Sequence, residues 1–233
     1  MSVWLSFSDV KVGYEQAVLH VPDMQFTAPG WISLYGPNGS GKSTLLYTIC
    51  GHVLPQRGQV LLQGISVHHI SAAERAARMA FADTSRPALP GFTVREVIGM
   101  HVHTAARGEE LIHDIATRLH LTTFLDRIFS ALSDGEKQMV LIARAIHQLL
   151  SSPETEGQVL VLDEPSSFLD YRNKLRLYAF LQLLSRKVLV IMAGHDFETS
   201  LSYADQCLIV EDQQLLLYTG EALSVATVAE KLR

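Results

Sequence analysis

Nine consecutive residues, Gly36, Pro37, Asn38, Gly39, Ser40, Gly41, Lys42, Ser43 and Thr44, carry the strongest chemical signal in this chain. They fit G-x-x-x-x-G-K-[ST], a loop built to hold phosphates. Glycines let consecutive backbone N–H groups turn toward one anion. A helix beginning at the end of the loop adds the positive end of its dipole. Lys42 can reach the outer phosphates of a nucleoside triphosphate, and the Ser43 hydroxyl can hold Mg²⁺. The context agrees, because residues 31–35 form an apolar, strand-like run and residues 45–49 a helix-like one.

Further candidates lie far along the chain. Residues 159–162 are uniformly apolar and deliver Asp163 and Glu164. Open α/β sheets bind ligands at the carboxyl ends of such strands. Asp163 is expected to hold Mg²⁺ through its water shell, and Glu164 to act as general base on an attacking water. A positioned acid–base group supplies about 10²–10⁴-fold in rate. His195 follows the apolar run 188–192 and can donate to a terminal phosphate while orienting Glu164; read alone, it is a turn residue. Ser133, Asp134, Gly135 and Glu136 open an amphipathic segment reaching about residue 150. Ser133 and Gly135 offer a hydroxyl and backbone N–H groups at a helix start, although read alone this is an ordinary helix cap.

These residues need elements to hold them. Residues 5–10, 18–21 and 59–62 read as strands, and 79–82 as another. Ser71 and Glu74 fit a capping box opening a helix that ends near Arg78. Residues 92–150 read as several helices without a clear strand. A helix at 171–185, a strand at 188–192 and a hairpin of 207–210 with 215–218 complete the pattern. A helical block inserted into a strand–helix alternation indicates an α/β core carrying a helical subdomain.

Composition narrows the function. The 233 residues fit one domain, or one domain with a subdomain, and 48% hydrophobic content suffices for a core. No run approaches the roughly 18–20 apolar residues of a membrane span. The start, Met1-Ser2-Val3-Trp4, lacks a signal-peptide pattern, so the cytosol is expected and any membrane role must come through a partner. A net charge of −5 without a Lys/Arg stripe speaks against nucleic acid. Cys50 and Cys207 form no C-x-x-C pair and read as reduced structural thiols. His68-His69 and His101-x-His103 lack a companion cluster and read as surface histidines.

Together these motifs resemble the nucleotide-binding subunit of an ABC transporter, over essentially the whole chain. Residues 36–44 match the family's Walker A loop and 159–164 its Walker B strand with the catalytic glutamate. Ser167-Phe168-Leu169-Asp170 match the D-loop, His195 the switch histidine, and residues 132–136 the signature, usually Leu-Ser-Gly-Gly-Gln. Tyr14 stands where the family places the aromatic that stacks on adenine. The resemblance implies an α/β P-loop ABC ATPase core, with a RecA-like parallel sheet and an N-terminal antiparallel β subdomain. Residues 1–85 and 155–233 would form that core, and about 86–154 the inserted α-helical subdomain. It further implies ATP and Mg²⁺, and a head-to-tail homodimer in which Ser133, Asp134, Gly135 and Glu136 face the partner's ATP. Asp170 would link the two sites. Motion would pass through a groove near residues 83–95 to multi-helix permease subunits, served in turn by a substrate-binding protein. The subunit would sit at the cytoplasmic face of the membrane, peripheral through the permease.

Two departures stand out. Asp134 and Glu136 replace the usual Gly and Gln of the signature, which predicts a working site of altered affinity. By register Thr84 takes the position of the Q-loop glutamine, and its shorter hydroxyl is expected to reach Mg²⁺ only through water. Residues 71–80 look like the Ser-Pro-Arg-Glu-Leu-Ala-Arg-Arg-Ile-Ala run of iron-siderophore, haem and cobalamin importers, and 91–97 resemble a following segment of theirs. Uptake of such a chelate is therefore expected. The alternatives are an ABC transporter for another cargo, a soluble ABC ATPase acting on DNA or ribosomes, and a non-hydrolysing clamp. The soluble enzymes carry a coiled-coil insertion or a second nucleotide domain, and neither is present. Glu164 and His195 argue against a clamp.

Overall fold

The computed structural model describes residues 3–83, 89–100, 105–154, 156–220 and 223–231. Its strands are β1 (Leu5–Val12), β2 (Leu19–Val21), β3 (Met24–Phe26), β4 (Gly30–Tyr35), β5 (Arg57–Leu62), β6 (Ile65–Ser66), β7 (Met79–Ala82), β8 (Val159–Asp163), β9 (Leu189–Ala193), β10 (Gln206–Glu211) and β11 (Gln214–Thr219). Its helices are α1 (Lys42–Ile49), α2 (Ala72–Arg78), α3 (Val94–Gly99), α4 (Ala105–Arg118), α5 (Asp134–Leu150), α6 (Tyr171–Leu184), α7 (Phe197–Ser200) and α8 (Val225–Lys231).

One sheet runs through the described residues in the order β6-β5-β1-β2-β11-β10-β4-β9-β8-β7, with β3 paired to β1. Its β10-β4-β9-β8-β7 portion is parallel. The portion built from β1, β2, β3, β5 and β6 is antiparallel. Strand β11 joins the two, antiparallel to β10 and parallel to β2. The expected parallel core and antiparallel N-terminal part are therefore both present, fused into a continuous sheet.

Every residue of β8 and β9 is buried, as an unbroken apolar run requires when both sheet faces are covered. On one face α1 sets Leu45, Leu46 and Ile49 against Ile32, Leu34 and Val161. On the other, α5 and α6 set Ile142, Ile146, Leu177 and Leu181 against Leu160 and Val190. Truncating one such leucine to alanine costs about 2–5 kcal/mol. Trp31 anchors this second face, edge-on to Tyr178 at 5.6 Å and stacked on Tyr203 at 5.9 Å.

The register fixes where chemistry can occur. Leu34 pairs with Ala193, Ala193 with Asp163, and Leu162 with Ala82. The chain therefore leaves four neighbouring strands along one edge, at Gly36, Asp83, Glu164 and Gly194. Between β7 and β8 the described elements are helical, apart from an isolated bridge between Thr93 and Ile128. Helices α2, α3 and α5 each begin with a reciprocal capping box, at Ser71/Glu74, Thr93/Glu96 and Ser133/Glu136. The β1 strand runs two residues beyond its expected end. Strands β3 and β6 and helices α7 and α8 are too short to carry a periodic signal.

Candidate functional site

Strand β4 feeds residues 36–41, and Gly41 opens α1 from the left-handed region at φ 95°, with no side chain capping the helix. The loop is tightly enclosed. A Cβ on Gly41 would stand 2.9 Å from Val18 Cγ2, and one on Gly36 2.8 Å from Val210 Cβ. Only glycine lets β10 and the β1–β2 hairpin close on this loop. Ser40 Oγ is buried without a hydrogen-bond partner among the described residues. An orphan donor inside such a loop suits an incoming anion. Lys42 is 7% exposed, and its Nζ donates to the carbonyls of Gly36 at 2.8 Å and Pro37 at 2.9 Å. Burial holds its pKa below the ordinary lysine value, opposed by Glu164 and Asp163. These are hydrogen bonds that a phosphate can take over.

Asp163 is buried, and burial raises its pKa. A hydrogen bond with Ser43 and the charge of Lys42 oppose that rise, while Glu164 and Asp83 add to it. A buried carboxylate beside a hydroxyl and further carboxylates offers the hard oxygen donors that Mg²⁺ prefers. Ser43 and Asp163 thus fit that cation.

Glu164 lies at φ 48°, and its N–H donates to Ala193 O at 2.9 Å. A left-handed non-glycine residue costs on the order of 1 kcal/mol or more, and such strain is concentrated at functional sites. The turn brings both carboxylate oxygens onto partners. His195 Nε2 lies 2.8 Å from Oε1, and Ser167 Oγ donates to Oε2 at 3.0 Å. An opening of about 260 Å³ is lined by Gly36, Pro37 and Asn38 on one side and His195 on the other. The phosphate loop and the histidine therefore face a common space.

The signature residues are organised differently. Ser133 N–H and Oγ–H both donate to Glu136 Oε2, at 2.7 and 2.6 Å, and Ser133 Oγ accepts from Glu136 N–H at 3.4 Å. These bonds to Ser133 hold the Glu136 carboxyl below the usual glutamate pKa. Asp134 is exposed in the first turn of α5. Gly135 has no room for a side chain, since a Cβ would stand 2.6 Å from Phe168 O. Asp170 caps α6, accepting from Asn173 N–H at 2.8 Å. Tyr14 lies in the β1–β2 hairpin, 74% exposed, and its carbonyl accepts from Gln56. Asn38, Gly39 and Thr44 lie within the phosphate loop and its helix. Thr84 lies outside the described residues.

Residues 19–167 match the family described as ABC transporter. The chain belongs to the ABC transporter family. It is 34% identical to a vitamin B12 import ATP-binding protein of Yersinia pseudotuberculosis, over 95% of this chain and 87% of that one. It is 35% identical to a hemin import ATP-binding protein of Pseudomonas putida, over 83% of this chain and 77% of that one. In fold it is similar to a nucleotide-free ATP-binding cassette from an ABC transporter, with a TM-score of 0.82, 20% identity, and 98% and 96% of the two chains covered. The chain is an ATP-binding subunit of this family, and such subunits are ATPases.

Two features of this ABC subunit escaped the motif reading. One is the clasp of Ser167 on Glu164; its only sequence signal was a hydroxyl three residues past the acid. The other is a cleft of about 400 Å³ lined by Arg75, Phe81, Asp83, Arg144 and Gln148. It lies where α2, the end of β7, the residues just past α1 and α5 meet.

Proposed function

We propose that two copies of this ABC subunit bind two ATP molecules between them, head to tail, with Mg²⁺. Hydrolysis then drives import of a metal-chelate, haem or cobalamin-type cargo through a separate permease. The observation that carries the reading is the Glu164 carboxylate clasped by His195 and Ser167 at the same sheet edge as the phosphate loop. Glu164 takes the proton of the attacking water. His195 orients Glu164 and donates to the outermost phosphate. Lys42 moves from the loop carbonyls to the phosphates, and Ser40 Oγ gains its missing partner there. Ser43 and Asp163 hold Mg²⁺, which when bound neutralises charge on the phosphate oxygens. Tyr14 stacks on adenine.

The exposed start of α5 suits a partner's ATP: Ser133 and Gly135 supply the donors, and Asp134 and Glu136 modulate affinity. Asp170 links the two sites through the interface. Thr84 is a further Mg²⁺ contact in this reading. The cleft beside β7 receives the permease, which makes the subunit peripheral at the cytoplasmic face of the membrane. Among the described residues no helix is long and apolar enough to cross a membrane. Division into a core of 1–85 and 155–233 and a helical part of about 86–154 fits this assembly. The cargo class is supported by the importer subunits to which the chain is similar.

The test is an affinity pull-down from native membranes, followed by ATPase assays of the purified complex with and without Glu164→Gln. Recovery of a many-helix permease, with hydrolysis lost in the variant, is the expected result. No membrane partner, or hydrolysis indifferent to Glu164, would refute the reading.

A further inference from the structure

Tyr47 takes no part in the chemistry above and Asp83 enters it only through its charge on Asp163, yet together they touch both regions that a transport motor must connect. Tyr47 lies on α1 one turn beyond Ser43, so it moves with the phosphate loop. Its hydroxyl donates to Asp83 Oδ2 at 3.0 Å. Burial and the Asp83 carboxylate push the Tyr47 pKa up to about 12, so the hydroxyl keeps its proton. The Tyr47 ring is held independently, edge-on to Phe81 at 5.3 Å and to His52 at 6.2 Å.

Asp83 is the first residue past β7, beside Asp163 across the β7–β8 pairing. The two carboxylates act on each other electrostatically. Asp83, Phe81 and His52 also line the 400 Å³ cleft that contains Arg75 and Arg144. One side chain thus senses charge at the nucleotide site, grips the phosphate-loop helix and forms part of the cleft wall.

We propose that the Tyr47–Asp83 hydrogen bond is the positioning contact that ties α1 to the end of β7, so that nucleotide binding alters the cleft. This rests on the reading of that cleft as the permease surface. Tyr47→Phe deletes only the hydroxyl and keeps the ring contacts.

Two readouts test the proposal. In the isolated Glu164→Gln protein, ATP with Mg²⁺ should slow hydrogen exchange at residues 79–83, and Tyr47→Phe should remove most of that change with ATP affinity kept within about twofold. In the complex reconstituted with its permease, Tyr47→Phe should cut permease-dependent stimulation of hydrolysis about fivefold and leave the basal rate of the isolated subunit unchanged. Asp83→Asn keeps an acceptor and should retain stimulation. Asp83→Ala should match Tyr47→Phe, and the double variant should be no worse than either. Additive losses, or a Tyr47→Phe protein with full stimulation and an unaltered exchange response, would overturn the proposal. An unmutated subunit that no permease stimulates, but whose exchange response depends on Tyr47, sinks the permease reading and upholds the tie between α1 and β7.

Discussion

His195 Nε2 sits 2.8 Å from Glu164 Oε1, a contact made by two residues just beyond the ends of adjacent parallel strands. The Asp163↔Ala193 register sets it, and the bond from Glu164 N–H to Ala193 O locks the turn. The left-handed backbone of Glu164 then swings its side chain toward the histidine. Sheet register, backbone strain and the Glu164–His195 contact are here one arrangement.

This clasp predicts a graded set of losses. Glu164→Gln removes the proposed general base and should lower kcat by about 10²–10⁴-fold with ATP binding retained. Ser167→Ala removes one hydrogen bond to the carboxylate, so kcat should fall about tenfold with KM little changed, in keeping with about 1.5 kcal/mol for a bond to a charged group. Steady-state phosphate release measures both. An unchanged kcat in Ser167→Ala would show that His195 alone orients the acid.

The signature serine gives a second prediction. Its hydroxyl proton is directed at Glu136, 2.6 Å away, and in the proposed dimer it must leave that carboxylate to reach the partner's phosphate. Charge-assisted bonds are roughly twice as strong as neutral ones. Glu136→Gln keeps an acceptor but loses the charge, so it should loosen the hydroxyl and remove a negative charge from the surface that the proposed dimer turns toward the partner's ATP. In a Glu164→Gln background, the ATP concentration that half-saturates dimer formation should fall about fivefold, equivalent to about 1 kcal/mol. Light scattering against ATP concentration reads this directly. An unchanged or higher midpoint would mean that Glu136 does not hold Ser133 back.

Much of this was legible in the sequence because the decisive elements carry strong local signals. The phosphate loop announces itself by spacing, β8 and β9 by unbroken apolar runs, and α2 by its Ser71–Glu74 cap. The antiparallel strands β3 and β6 were not legible, since so few residues establish no period. Contacts made by the tertiary fold were also hidden. Tyr47 and Asp83 are distant in sequence and meet only because α1 packs beside β7. Ser167 reaches Glu164 only because of a positive φ that a glutamate does not advertise. The cleft between α2, the end of β7 and α5 was hidden for the same reason, since its walls come from residues as far apart in sequence as Arg75 and Arg144.

Asp163 gives a prediction that separates stability from function. Burial raises its pKa, so its contribution to stability is full below the unfolded carboxylate value and is lost as pH rises through the raised folded value. At neutral pH the nucleotide-free protein therefore carries a destabilising charge. Asp163→Asn should raise Tm at pH 7.5 by about 2–4 °C, the shift that about 1 kcal/mol gives a chain of this size. The gain should shrink at acid pH, and Mg²⁺-dependent hydrolysis should vanish. Calorimetry on nucleotide-free protein at two pH values decides the matter. A lower Tm for the variant at both would mean that the Lys42 and Ser43 contacts outweigh burial.

His147, a buried histidine of the helical region, gives the last prediction. It is 0% exposed on α5, and its Nε2 lies 3.4 Å from Ser151 Oγ. Burial lowers its pKa, against weaker opposing effects from the Gly108 and Ile98 backbones and the charge of Glu109. Below the ordinary histidine value of about 6.5 the unfolded chain binds a proton that the folded chain refuses. The stability of the neutral form is thus complete above that value and is lost as pH falls toward the lowered folded value, by up to about 1.4 kcal/mol per pH unit. His68, also lowered by burial, acts in the same direction. His147→Gln should therefore flatten the fall of Tm between pH 6.5 and 5 without abolishing it, since His68 remains. Thermal melts of both proteins across that range provide the check. Parallel curves would show that α5 admits the imidazolium at no cost, and that the acid sensitivity of the fold arises elsewhere.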